Sequence, residues 1–92
     1  AGAILCLLAC WRACSDPELL AIVDACGRHL LDARSPTPSG HRTWATLAGK
    51  HLTGMSHGAA GSAYALAALF GATGEREFLE AATEAVRFEA SE

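Results

Sequence analysis

The amino-acid sequence predicts an all-α fold made of two antiparallel helix hairpins, and three observations carry that prediction. Ala and Gly are heavily used and β-branched residues are few, a composition that suits closely packed helices better than sheet. Apolar residues recur at three- and four-residue spacing over most of the chain. The chain also aligns with itself at an offset of 59 residues, placing one helix–turn–helix unit on another.

The first helix is expected over about 3–13, an almost unbroken apolar run. Ser15-Asp16-Pro17-Glu18 then forms a start signal: a capping Ser or Asp, Pro in the first turn, and an acid near the positive end of the helix dipole. The second helix extends to about 34, with Leu19, Ile22, Val23, Cys26 and Leu30 as its expected buried stripe. Periodicity then fails. Ser35-Pro36-Thr37-Pro38-Ser39-Gly40 is a breaker cluster, and Gly49 and Gly54 punctuate the stretch after it. A loop of this length is unusual in a compact domain and is often functional. Trp44 is expected to anchor it, as an aromatic in a polar loop usually does. His41 and His51 lie in the same loop with Arg42 and Lys50 and read most simply as solvated, with contact to a peptide substrate as the alternative. His29, on the second helix, reads as a surface or boundary residue.

Helix three is expected over about 58–72, Thr73-Gly74 turns the chain, and helix four occupies about 75–89. Phe78, Leu79, Ala82, Ala85 and Val86 should point inward, and Glu75, Glu77, Glu80 and Glu84 should form a solvated face. The organisation is thus a first helix pair at 1–34, a long loop at 35–57 and a second helix pair at 58–90.

In the 59-residue alignment Leu7 falls on Leu66, Trp11 on Phe70, Asp16 on Glu75, Glu18 on Glu77 and Leu20 on Leu79. Helical repeats bury their flanks against neighbours, and at least about three units are usually needed. Two pairs therefore leave two open faces. Either the chain self-associates or it belongs to a larger ring, and the ring is the preferred expectation. The opening Ala1-Gly2-Ala3-Ile4-Leu5, with no polar lead-in, reads in the same way, as part of something longer.

Composition narrows the function classes. The chain has 92 residues, 51% hydrophobic and 18% charged, with a formal charge of −3 and no Lys/Arg cluster, which argues against disorder and against nucleic acid as a partner. Its longest apolar run falls well short of the roughly 20 residues needed to cross a bilayer. Cys6, Cys10 and Cys14 recur every four residues on one helix face. A thiolate stripe of this kind suits zinc or copper(I), but it lacks a second ligand pair, so small apolar fillers are the favoured reading. Residues four apart on a helix bridge poorly, so the cysteines are expected to be reduced, as in a cytoplasmic protein.

His57 directly precedes the glycines Gly58 and Gly61 at the expected start of helix three. Unpaired N–H groups and the positive dipole end there disfavour the imidazolium, which leaves a neutral ring able to exchange a proton near pH 7. The simpler alternative is a histidine that caps or packs beside a helix start. The two glycines remove side chains beside it and leave room for a peptide backbone.

The segment Leu52-Thr53-Gly54-Met55-Ser56-His57-Gly58-Ala59-Ala60-Gly61-Ser62-Ala63 resembles the histidine-glycine signature of the LanC-like cyclases. Trp44-Ala45-Thr46-Leu47 before it, and Ala72-Thr73-Gly74-Glu75-Arg76-Glu77-Phe78-Leu79-Glu80-Ala81-Ala82 after it, resemble the cyclase half of class II lanthionine (lanthipeptide) synthetases, bacterial enzymes of lantibiotic biosynthesis. The resemblance implies a partial α/α toroid, an incomplete barrel of inner and outer helices. It also implies addition of precursor-peptide cysteine thiols to dehydroalanine or dehydrobutyrine at a zinc ion, with a histidine and an aspartate handling protons. Only His57 carries over as a catalytic residue, with Ser56, Gly58 and Gly61 as the motif around it. By the same resemblance the aspartate would lie before Ala1, and the zinc ligands, one Cys and a later Cys-His-Gly, beyond Glu92. The chain is therefore expected to hold no cofactor and to be inactive alone, with zinc in the full-length parent. Its expected partners are the precursor peptide and the rest of the toroid.

Two other readings remain. A non-enzymatic helical-repeat binding module of the TPR type would show a period near 34 residues and not 59. Another α/α-toroid enzyme, such as a glycosidase, epimerase or terpene cyclase, would need its own catalytic groups, and the 35–57 loop contains no carboxylate to form a glycosidase pair.

Overall fold

A computed structural model of the protein describes residues 2–45, 51 and 58–91. The fold is all-α. Its elements are α1 (Gly2–Cys14), α2 (Pro17–Asp32), β1 (Ser35–Pro36), β2 (Arg42–Thr43), α3 (Ala59–Thr73) and α4 (Arg76–Ser91). Strands β1 and β2 form a small antiparallel hairpin, with Ser35 opposite Thr43 and Pro36 opposite Arg42.

The 59-residue offset holds at the level of helix ends. It carries Pro17 and Asp32, the bounds of α2, onto Arg76 and Ser91, the bounds of α4, and carries Cys14 onto Thr73. The turns match as well. Ser15, at φ 55°, donates its N–H to the Trp11 carbonyl at 2.6 Å, and Gly74, at φ 72°, donates to the Phe70 carbonyl at 2.7 Å. Both are left-handed helix caps, one built on glycine and one on serine. Asp16 then caps α2 by accepting from the Glu18 N–H at 2.9 Å, while the Thr73 hydroxyl accepts from the Glu75 N–H at 3.2 Å.

The second pair owns most of the core. Ala59, Gly61, Ala63, Ala65, Leu66 and Leu69 are buried along α3, and Phe78, Ala81, Ala82, Ala85 and Phe88 along α4. An α3 this apolar on several sides belongs in the interior of a helical array. The first pair joins that core through Ile4 and Leu8 of α1 and through Val23 and Gly27 of α2. Gly27 sets the approach. A Cβ there would stand 2.2 Å from Leu69 Cδ2 and 2.8 Å from Phe78 Cε1, so only a glycine fits this backbone position.

The assembly measures 41 × 25 × 19 Å. The short axis is about two helix diameters, so helix faces without a neighbour stay at the surface. This corrects several expectations about the core. Ile22 is 50% and Val86 56% exposed although both sit on apolar stripes. Cys6, Cys10 and Cys14 are exposed and not apolar fillers, because α1 meets the rest of the protein through Ile4 and Leu8. Cys26 packs against the core, half-buried.

Candidate functional site at the start of α3

Gly58 is the N-cap of α3, with extended backbone at φ −112° and ψ −175° and no side chain to satisfy the first turn. Glu89 of α4 reaches across the hairpin and accepts from the Ala60 N–H at 2.9 Å. A carboxylate suits this place, since the helix start carries unpaired donors and the positive end of the dipole. Gly58, Ala59 and Gly61 are all buried, so the first turn itself contributes only small residues to the opening of the helix. Next to it a groove of about 590 Å³ runs between α3 and α4, from Ala60 and Glu89 past Tyr64 and Ala67 to Leu79 and Val86. Its walls are mostly apolar, with Tyr64, Thr83 and Glu89 as the residues that carry polar side-chain groups.

The described residues of the connection, 35–45 and 51, are more structured than the sequence implied. Gly40 turns the β1–β2 hairpin at φ 88°, and the Thr37 hydroxyl donates to the His41 carbonyl at 2.7 Å. Trp44 does anchor the segment: its indole N–H donates to the Leu30 carbonyl at 2.7 Å while the ring lies against the core. His51 is not a solvated loop residue. It is half-buried, pairs with Ala45 as an isolated β-bridge, and holds the Thr43 hydroxyl at 2.8 Å on Nδ1 and the Ser35 hydroxyl at 3.3 Å on Nε2. His29 is exposed, in line with its surface reading.

Nor are the acids of α4 and its turn a freely solvated face. Glu84 binds Arg34 at 3.2 Å and Arg42 at 2.9 Å, and also accepts the Arg42 backbone N–H at 2.5 Å, so one carboxylate ties the end of the first pair and the hairpin to α4. Burial alone would push the Glu84 carboxyl up. The hydrogen bonds from the Arg42 side chain and backbone, with the charges of Arg42 and Arg34, together outweigh it and hold the group below the usual carboxylate range. Burial and the neighbouring charge of Arg42 lower Arg34, which stays cationic. On the opposite edge Arg28 binds Glu75 at 2.6 Å and Glu77 at 2.7 Å and lies 5.3 Å from the Phe78 ring centre. Hydrogen bonds to Glu75 and Glu77 raise its pKa. Sequence reasoning missed both clusters, because the basic partners lie 42 to 50 residues away along the chain.

Of the residues singled out from the sequence, Gly58 and Gly61 stand at the α3 start as expected, whereas Ser56 and His57 lie outside the described residues. Among the described residues no group of three or more His, Cys, Asp or Glu side chains is placed to hold a metal ion.

The family model for lanthionine synthetase C-like proteins matches residues 1–92, the whole of this chain. The chain belongs to that family. No curated protein and no solved structure gives a significant match. A lanthionine synthetase C-like chain with this all-α architecture agrees with the resemblance carried by the histidine-glycine segment. Among its described residues, no helix is long and apolar enough to cross a membrane.

Proposed function

We propose that this chain is part of a lanthionine-forming cyclase and that His57 is its proton-transfer group. The observation that carries the proposal is the Ser56-His57-Gly58 sequence running straight into the glycine-capped start of the most buried helix, inside a full-length family match. In the reaction, a cysteine thiolate of the precursor peptide bonds through sulfur to Cβ of a dehydroalanine or dehydrobutyrine. The neutral His57 imidazole takes up the proton that the thiol releases, the alkene electron pair moves toward the carbonyl to give an enolate, and the imidazolium so formed returns that proton to Cα, which leaves the ring neutral for the next thiol. Gly58 and Gly61, which carry no side chain, favour close approach of a peptide backbone. In the complete cytoplasmic enzyme, zinc would be held by ligands other than the described residues, and further helix pairs would cover the two open flanks.

The test is His57→Ala in the complete synthetase, with thioether formation read by mass spectrometry after alkylation of unreacted thiols. General acid–base catalysis is typically worth about 10²–10⁴-fold, so a rate loss of that order is expected. A wild-type rate would overturn the assignment.

A further inference from the structure

The start of α3 is capped from another helix. An α-helix leaves the N–H groups of its first turn without partners inside the helix, and the usual remedy is a Ser, Thr, Asp or Asn side chain at the N-cap. Gly58 holds that place and has no side chain to offer, and the first turn of α3 contains no acid. Glu89 supplies an acceptor from the last turn of α4, 29 residues along the chain, by taking the Ala60 N–H at 2.9 Å. The helix-pair architecture does not itself require a carboxylate there. The 59-residue offset carries Glu89 back onto Leu30, which packs against the core. Glu89 stands instead beside the buried Ala85 and Phe88, where a half-buried carboxylate is costly unless it is hydrogen-bonded. What the second pair carries at this end is Ser56-His57-Gly58, joined directly to the capped turn.

We propose that Glu89 is a positioning residue for the thioether-forming reaction: by capping α3 from α4, it fixes the turn to which His57 is joined. The inference rests on the proton-transfer role proposed for His57. The first turn reads Gly58-Ala59-Ala60-Gly61, and its two glycines make the backbone permissive, so the turn has little of its own to hold one geometry. An N-cap Ser or Asp would hold it, but would place a side chain next to His57. A cap reaching in from α4 leaves Gly58 bare. Proton transfer to Cα tolerates little displacement of the donor, since a misplacement of about 1 Å can cost about 10²-fold. Glu89 therefore acts on the bond-making step and not on binding of the peptide.

The test compares Glu89→Ala, Glu89→Gln, His57→Ala and the His57→Ala/Glu89→Ala double variant in the complete synthetase. Amide hydrogen exchange read by mass spectrometry follows the α3 start, and thioether formation gives kcat and KM for the precursor peptide. Glu89→Ala removes the acceptor; it is expected to speed exchange at the Ala60 amide and to lower kcat about tenfold to a hundredfold, with KM changed less than about threefold. Glu89→Gln keeps an oxygen able to accept from the Ala60 N–H, so it should recover slow exchange and most of the rate. On top of His57→Ala, Glu89→Ala should cost little more, because both act through one group. Unchanged exchange or a wild-type rate in Glu89→Ala, a Glu89→Gln variant as slow as Glu89→Ala, or a full further loss in the double variant would overturn the proposal. These outcomes are distinct from a wild-type rate in His57→Ala, which would sink the role of His57 and, with it, the path through which Glu89 acts.

Discussion

Replacing Gly27 by Ala sets two effects of opposite sign against each other. In a helix interior the change should stabilise by about 1 kcal/mol, because alanine loses less backbone entropy. The added methyl, however, would fall 2.2 Å from Leu69 Cδ2 and 2.8 and 3.0 Å from two atoms of the Phe78 ring. Leu69 and Phe78 are both 0% exposed, so neither can swing into solvent. Relief must come from moving α2 away, which also stretches the Arg28 contacts to Glu75 and Glu77. Overpacking of a core typically costs about 1–3 kcal/mol, and a contact this short at two neighbours belongs at the upper end. The net expectation is a loss of about 2 kcal/mol, or a melting temperature lower by about 8–16 °C for a domain of this size. Urea unfolding of dilute protein followed by circular dichroism measures it. Gly71, in α3, has nothing within 4 Å of its Cβ position, so Gly71→Ala should instead gain up to about 1 kcal/mol. If Gly27→Ala gains stability as Gly71→Ala does, the close packing of α2 on Leu69 and Phe78 is wrong.

Two further outcomes are expected. Ser15 takes a left-handed conformation that Gly74 takes at the matching turn, so Ser15→Gly should stabilise by about 0.5–1 kcal/mol, read as a higher urea midpoint at unchanged slope; no gain would show that serine bears no strain there. The Glu84 carboxyl is held below its ordinary value of 4.5, so the folded protein binds fewer protons there than the unfolded chain. Its contribution is complete above about pH 4.5 and is lost as pH falls through the lower folded value, so Glu84→Gln should flatten the acid limb of a stability–pH profile; an unchanged limb would refute the linkage.

The helix plan was legible in the sequence because each signal was local. The breaker pairs fixed the turns, and the offset of Asp16-Pro17-Glu18 onto Glu75-Arg76-Glu77 matched helix ends as well as residue types. Trp44 was legible as an anchor for a similar reason: a large aromatic among polar neighbours has few places to go but the core. The expectations that failed depended on distant neighbours. An apolar stripe tells which side of a helix avoids water, not whether another helix arrives to cover it, and so Val86, Ile22 and the α1 cysteines were placed inside. Glu84 looked solvated because Arg34 and Arg42 approach only once the hairpin folds over α4. The residues of the candidate site were visible as a motif, whereas the help that α3 receives from Glu89 was not, since it comes 29 residues later from another helix.

That help has a consequence of its own. Gly58, the Ala60 amide and the Glu89 carboxylate all belong to the same hairpin, so the contact between the α3 start and Glu89 is made within that hairpin. Substitutions on α1 or α2 can loosen the shared core without undoing this latch. The half of the chain carrying the histidine motif can therefore keep its entrance shape while its neighbour varies.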